Sequence, residues 1–413
     1  SFDSEFGGFG AAPKFPAPHN LLFLMRIYET EKIPEAMQMA EITLKAMADG
    51  GIFDHIGGGF SRYSTDKKWL VPHFEKMLQA EIIQVLGEQD GLKFCEEYDI
   101  TKQGNFEGKS IPNRIGRSGA AWVSDDSRLK RLYEYRKSRT KLHLDNKILL
   151  SWNAWTIIAL ARTGLISGNT RYTNAAIKAH NFILAKMTDE ENRLYLRYCD
   201  GESAHAGQLD DYAVYALALM ELYRSTLDIR YLQEAISRAK QMIYFFEDKE
   251  NCGYYLTAHD AETLLTRPKE TYDGAIPSGN AVSETVLEEL VSLTGDSFFR
   301  EAADRQHRFM VGRVKEYPAA HCFSLTAMAK LLYPHRELIC SGSELPKELF
   351  HYLRSHPAHD LSVLFQSAEN KKELSEAAPF TASYPLSEKT VWYLCENGSC
   401  HAPETDFGKL NLM

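Results

Sequence analysis

The sequence predicts a mainly α protein, an (α/α)6 toroid carrying a small C-terminal α/β element. Three features point there. Helices of two kinds alternate along the chain, the connections between them are short at one end and long at the other, and one motif recurs at helical spacing. Tyr172, Tyr231 and Phe299 each stand four residues before an alanine (Ala176, Ala235, Ala303) and eleven before a long apolar residue (Ile183, Met242, Met310). Those offsets fall on one face of a 3.6-residue helix, so each motif marks a half-buried helix. Between these helices lie segments that are apolar on nearly every side, at 155–165, 212–223 and 282–293. Such a helix must be surrounded by protein. An inner ring of fully apolar helices inside an outer ring of half-buried ones satisfies both patterns. An open α-solenoid ranks second, because its repeats are more uniform in length and rarely carry long polar loops at one end.

The elements follow in order. Pro18-His19-Asn20 opens a first inner helix near Asn20, and Ile33-Pro34 opens an outer one in which Ala40 and Met47 keep the seven-residue interval. A Gly/aromatic hairpin is expected over 50–69. The second inner helix starts near Phe74 and gives way after two turns to the segment 81–87, and its outer partner and hairpin are missing. One repeat, on the order of 60 residues, is therefore expected to be absent near 78–88. The third, fourth and fifth inner helices start near Asn153, Asp211 and Gly279. Tight turns such as Ser167-Gly168-Asn169 and Thr294-Gly295-Asp296 lead out of them, and hairpins over 192–208 and 251–272 lead back. The sixth starts near Ala320, so the toroid is expected to occupy 1–335. Beyond Tyr333 the pattern changes to strand (337–340), helix (344–354), strand (361–365) and strand (390–395), an α/β element over 336–413 packed on the toroid.

Of the 413 residues, 44% are hydrophobic and 25% charged, which describes a chain that buries a large core rather than a disordered or fibrous one. A net charge of -9 without a dense Lys/Arg run argues against nucleic acid as a partner. No apolar run reaches the length of a membrane span, and residues 1–5 carry no basic, apolar leader, so neither a membrane nor export is expected. Seven scattered cysteines do not form a disulfide framework, and a reducing, cytoplasmic location is expected. No metal or cofactor is expected, since no Cys/His pair has zinc-ligand spacing and Gly57-Gly58-Gly59 lacks the Lys-Ser/Thr ending and preceding strand of a phosphate loop. Close packing of the backbone is expected to explain those glycines. Glu396-Asn397-Gly398-Ser399 reads as a tight hairpin that sets Cys395 opposite Cys400, within reach of a disulfide but expected as free thiols in a reducing compartment.

The long loops and the N-termini of the inner helices share one rim. Unpaired N–H groups and partial positive charge suit that rim to a polyhydroxylated or anionic ligand. Carboxylates, imidazoles and amides stand there beside aromatic rings, which is the composition of a sugar pocket. Candidate acid/base groups are Asp211, Asp210, His73, Glu75, Asp54 and His55, and candidate substrate contacts are His19, Arg62, Tyr63, Trp152, Asn153, Tyr212, Ser278, Asn280 and His321. Asp210, Ser278 and Asn280 equally suit helix caps. His73 and Glu75 suit a first-turn polar pair. Adjacent Asp210 and Asp211 at a buried helix start are the better pair for chemistry, because such neighbours are driven to different pKa values.

Longer strings carry a resemblance. Gly7-Gly8-Phe9-Gly10, Pro13-Lys14-Phe15-Pro16, the run from Asp54 to Tyr63, the run from Trp69 to Leu78, Trp152-Asn153, Asp210-Asp211-Tyr212-Ala213, Pro277-Ser278-Gly279-Asn280 and the run from Cys395 to Pro403 resemble the spermatogenesis-associated protein 20, or YyaL-type, family nearly end to end. The resemblance implies a six-hairpin glycosidase-like toroid similar to N-acylglucosamine 2-epimerases and unsaturated glucuronyl hydrolases, following a thioredoxin-like domain that this chain does not include. It implies carbohydrate-active chemistry, epimerase-like or hydrolase-like, on a small-molecule or oligosaccharide substrate. A non-catalytic glycan- or protein-binding scaffold is the alternative. Four rim histidines (19, 55, 73 and 321) tilt the expectation toward proton transfer of the epimerase kind.

Overall fold

The computed structural model describes residues 2–72, 78–117, 126–139, 145–333, 336–356, 361–396, 398–410 and 412. Contacts divide the chain into two units, Ser1–Asp145 and Asn146–Met413.

In the first unit, α1 (Pro18–Glu31) and α2 (Pro34–Asp49) both begin on a proline, whose missing N–H costs nothing in the first turn. Leu21, Ala40 and Met47 from this pair pack with Ile52 and the fully buried Trp69. The Trp69 indole donates to the Phe6 carbonyl at 3.0 Å. A second apolar cluster joins α3 (Gln79–Leu86), α4 (Glu88–Glu97) and α5 (Ser127–Arg139) through Ile82, Leu86, Phe94 and Leu132. The chain passes from α3 to α4 through the single residue Gly87. The start of the second inner helix, near Phe74, lies outside the described residues. Close packing explains only the first glycine of 57–59. A Cβ on Gly57 would stand 2.4 Å from the Arg136 guanidinium, whereas Gly58 and Gly59 have open space around them and are required by φ of +78° and +91°.

In the second unit the alternation expected from the sequence is present. After β1 (Ile148–Leu149) come α6 (Leu150–Ser167), α7 (Thr170–Lys186), the hairpin of β2 (Tyr195–Cys199) and β3 (Glu202–Ala206), α8 (Leu209–Thr226), α9 (Ile229–Phe246), α10 (Gly279–Thr294), α11 (Ser297–Glu316) and α12 (Cys322–Lys330). The half-buried helices α7, α9 and α11 start on Asn169, Asp228 and Asp296, each accepting from the N–H two residues on. Along α8 every residue from Asp211 to Tyr223 is buried, and α10 is nearly as enclosed. By contrast α6 keeps Trp152, Thr156, Ala159, Thr163 and Ile166 exposed as one stripe. Its apolar composition predicts burial on all sides, but its neighbours α7, α8 and α13 (Lys347–Ser355) leave that face uncovered. A hairpin forms over 192–208 as expected. The loop over 251–272 has only an isolated bridge between Glu247 and Tyr254, because the Asn280 side chain takes the place of a second strand: it accepts from the Tyr254 N–H and donates to the Tyr254 carbonyl, each at 2.9 Å.

The C-terminal element contains β4 (Arg336–Ser341), α13, β5 (Leu361–Gln366), α14 (Lys371–Ala377), β6 (Val391–Glu396) and β7 (Ser399–Cys400). The strand order is β5-β4-β6-β7, with β4 and β5 parallel across the α13 crossover and β6 antiparallel to β4. Leu338, Ile339, Leu364 and Trp392 belong to the same apolar core as α6, α8 and α10, so the element is built into the second unit. Cys395 pairs directly with Cys400 and the two form a disulfide, not the free thiols expected for a reducing compartment. Directly opposed positions bring the two β-carbons within bonding reach, which is a local geometric fact independent of compartment.

Candidate functional site

In the second unit, carboxylates join the starts of the enclosed helices to one another. Asp211, in the first turn of α8, accepts from the Gln208 N–H of its own helix start at 2.9 Å and from the Ser151 N–H of the α6 start at 3.0 Å. Asp273, in the loop before α10, accepts from the Ser278 N–H at 3.1 Å and from the Phe323 N–H of the α12 start at 2.9 Å. Asp210 reaches the α10 start from the other side, and a Cβ on Gly279 would stand 2.3 Å from its Oδ1, so only glycine admits this carboxylate. Each bond satisfies an N–H that has no partner within its own helix. All three acids are buried or half-buried, and all three are pushed up. Burial takes Asp211 to about 7 against the pull of the Gln208 and Ser151 N–H groups. Burial takes Asp273 to about 6. Burial and the nearby Glu270 carboxylate take Asp210 to about 6, with the Gly279 N–H opposing. One turn into α10, buried Glu284 is raised to about 6 by burial and lies 3.1 Å from His307 Nδ1, which it raises in return.

The other residues singled out in this unit divide into braces and open positions. The Tyr212 ring is buried and its hydroxyl accepts from the Leu194 N–H at 3.0 Å. Ser278 caps α10, accepting from the Ala281 N–H at 3.3 Å. Asn280 is fully buried and also donates to the Glu270 carbonyl at 2.8 Å. Asn153 donates back to the Leu149 carbonyl at 2.8 Å. His321 has Nδ1 at 2.9 Å from the Tyr317 carbonyl and Nε2 at 3.3 Å from the Thr271 hydroxyl. A carbonyl only accepts, so Nδ1 donates to Tyr317. Trp152, in contrast, is 64% exposed in the first turn of α6.

Within the first unit, Asp54 accepts from the Ile56 and Gly57 N–H groups at 3.0 Å and pairs with Arg136 at 2.7 Å. Burial would raise its carboxyl, but Arg136 and the loop N–H groups hold it below the usual range. His55 is buried with Nε2 donating to the Gly50 carbonyl at 3.0 Å, and burial lowers its pKa. Burial takes His19 down to about 4, so its ring is neutral near pH 7. Arg62 is exposed, and Tyr63 stacks obliquely on Phe15 with ring centres 5.2 Å apart. His73 and Glu75 lie outside the described residues.

Sequence reasoning missed Asp273, Glu284 and Glu270. Asp273 follows an aromatic residue in a long loop, as Asp54 does, and that was the available signal. Glu284 is one of three glutamates in an otherwise apolar helix, which periodicity alone reads as solvated positions. Among the described residues no group of three His, Cys, Asp or Glu side chains could hold a metal ion, and no helix is long and apolar enough to cross a membrane.

No family model matches the chain. Human spermatogenesis-associated protein 20 is 26% identical to it over 522 aligned positions that take in 98% of this chain and 66% of that protein. An uncharacterized Caenorhabditis elegans protein is 26% identical over 98% of this chain and 70% of its own length. The chain thus spans just under two thirds of the human relative's length. Among solved structures it is similar to a D-mannose isomerase (13% identity, 75% of this chain and 81% of that one, TM-score 0.49) and to a sugar epimerase from a ruminal bacterium (12%, 76% and 82%, TM-score 0.48). A family 105 glycoside hydrolase from C. acetobutylicum ATCC 824 is similar over 72% of this chain and 77% of its own, at 11% identity and a TM-score of 0.41.

Proposed function

We infer that the rim formed by the starts of α6, α8 and α10 binds a sugar and acts on it by acid/base chemistry, with Asp210 as the acid. One observation carries this: Asp210 is a half-buried carboxylate raised to about 6 by burial and by a second carboxylate, Glu270, which is itself exposed. Two acids in unequal environments are what splits an acid role from a base or nucleophile role. Both oxygens of Asp211 already accept from backbone N–H groups, so its part is to hold the α6 and α8 starts in place rather than to transfer a proton. Exposed Trp152 and Tyr272, each 64% accessible, supply aromatic faces for a sugar ring. The tilt toward epimerase chemistry weakens, since His19, His55 and His321 are buried with neutral or committed rings, and the hydrolase reading gains with Asp210. The binding-scaffold reading is favoured by the amount of rim polarity spent on bracing, in Asp211, Tyr212, Ser278 and Asn280.

The experiment is turnover by the chain on a broad oligosaccharide panel, together with deuterium uptake at sugar carbons in deuterated water. Release of reducing ends that falls as pH rises above about 6, and is lost in Asp210→Asn, supports the hydrolase. Deuterium uptake independent of Asp210 would transfer the chemistry to the histidines. Glycan binding without either reaction would leave the scaffold. The domain reading extends in the same way: we propose that a repeat near 78–88 is absent from this chain, a view supported by an alignment to the human relative that is longer, at 522 positions, than the 413 residues present here.

A further inference from the structure

A cavity of about 630 Å³ in the second unit lies away from the rim, between the C-terminal halves of α10 and α12 and the C-terminal sheet. Both residues of the Cys395–Cys400 disulfide line it. The two differ in access, since Cys395 is buried at 5% and Cys400 is exposed. The Tyr384 hydroxyl lies 3.3 Å from the Cys395 sulfur and 3.2 Å from that of Cys400, and it lines the same cavity. Among the described lining residues Glu288, Glu289 and Glu337 carry carboxylates and Arg300 and Lys330 cations, and Glu289 is held by both Lys330 and Arg224. A cavity of this size holds a small molecule.

We propose that this cavity is a thiol–disulfide exchange site for a low-molecular-weight aminothiol, with Cys395–Cys400 as the exchanging disulfide. The thiolate of the ligand attacks the accessible Cys400 sulfur in line with the S–S bond. That bond breaks, a ligand–Cys400 mixed disulfide forms, and the electron pair leaves on the Cys395 sulfur, where the Tyr384 hydroxyl donates to the new thiolate. A second molecule of the thiol attacks the ligand sulfur of the mixed disulfide and releases the Cys400 thiolate. Two thiols are oxidised to one disulfide and the protein disulfide is reduced to two thiols, with the two protons of the ligand thiols ending on the cysteines. Glu289 is taken up by Lys330 and Arg224, and the Glu288 carboxylate on the cavity wall favours a thiol that carries an ammonium group over one that carries carboxylates. Tyr384 is a positioning residue here.

The test uses the full chain, incubated with cysteamine or with reduced glutathione at matched thiolate concentration and followed by alkylation and peptide mass spectrometry. Five cysteines are free at the outset, so reduction is read as new alkylation at positions 395 and 400 alone. Cysteamine is expected to reduce the pair about tenfold faster than glutathione, the size of one favourable charge contact. That preference should fall toward unity in Glu288→Gln. Tyr384→Phe should slow both thiols while leaving their ratio unchanged. In Cys395→Ser, cystamine should form a mixed disulfide at Cys400. If that variant does not fold, the wild-type rates decide by themselves. Resistance of the folded protein to both thiols, or equal rates with the two in the wild type, would overturn the proposal.

Discussion

The two ends of the enclosed helices in the second unit are tied together by opposite means. At their starts, Asp211 and Asp273 bridge neighbouring helices by accepting backbone N–H groups, and no basic side chain takes part in those bonds. In their C-terminal halves a chain of full charges crosses four helices: Arg162 of α6 to Glu221 of α8 at 2.6 Å, Glu221 to Arg224 at 3.1 Å, Arg224 to Glu289 of α10 at 2.9 Å, and Glu289 to Lys330 of α12. Burial raises the acids at both ends, but the outcome differs. Arg162 and Arg224 outweigh it at Glu221, and Lys330 and Arg224 outweigh it at Glu289, which falls to about 2. At the starts the N–H dipoles are weaker than full charges, so burial wins and the acids titrate near neutrality. The far end of the helices is therefore electrostatically fixed, and the rim is the end where a proton can move.

The largest effect should come from breaking the charge chain. Glu289→Gln leaves Arg224 and Lys330 facing a neutral amide in a buried site, and a loss of about 3–5 kcal/mol is expected in denaturant unfolding. Gly279→Ala sharpens the other side of the comparison. Its Cβ would meet Asp210 Oδ1 at 2.3 Å and Leu209 Cγ at 2.9 Å, so about 1–3 kcal/mol of stability should be lost, together with the raised titration of Asp210 by NMR.

Asp211→Asn should cost about 1–3 kcal/mol near pH 8, because one of the two backbone N–H groups loses its acceptor. It should also change the pH dependence. A carboxyl whose folded pKa of about 7 lies above its unfolded value of about 4 binds more protons when folded, so it favours the fold fully below pH 4. That contribution is lost as pH rises toward 7. Wild-type stability should therefore carry a downward component across that window, reduced in the variant; an unchanged slope would show that Asp211 does not titrate there. Asp210→Asn should have the smallest effect on unfolding, within about 0.5 kcal/mol at pH 7, since the amide Oδ1 can still accept from the Gly279 N–H that the carboxylate bonds. Loss of turnover without loss of stability would separate Asp210 from its neighbour.

Much of this architecture was legible in the residues. The motif at Tyr172, Tyr231 and Phe299 located α7, α9 and α11, and Pro18, Pro34 and Ser278 marked helix starts that the structure contains. Strands were placed within one or two residues at 337–340, 361–365 and 390–395. The exposed stripe of α6 was not legible, because apolar composition says what a face can tolerate and not whether a neighbour covers it. Likewise the hairpin expected over 251–272 does not form strands, and nothing local in the sequence could show that the Asn280 side chain would bond the Tyr254 backbone there.

Helix and strand identity, the alternation of enclosed and half-buried helices, and the direct opposition of Cys395 and Cys400 were determined by the sequence itself, since periodicity, capping and short hairpins act over a few residues. Which acids bridge helices and which can titrate was decided only by tertiary structure. Asp211 meets Ser151 across 60 positions and Asp273 meets Phe323 across 50. A carboxyl's pKa depends on the burial and the dipoles that such distant segments bring to it, so adjacent Asp210 and Asp211, alike as letters, take different parts in the folded chain.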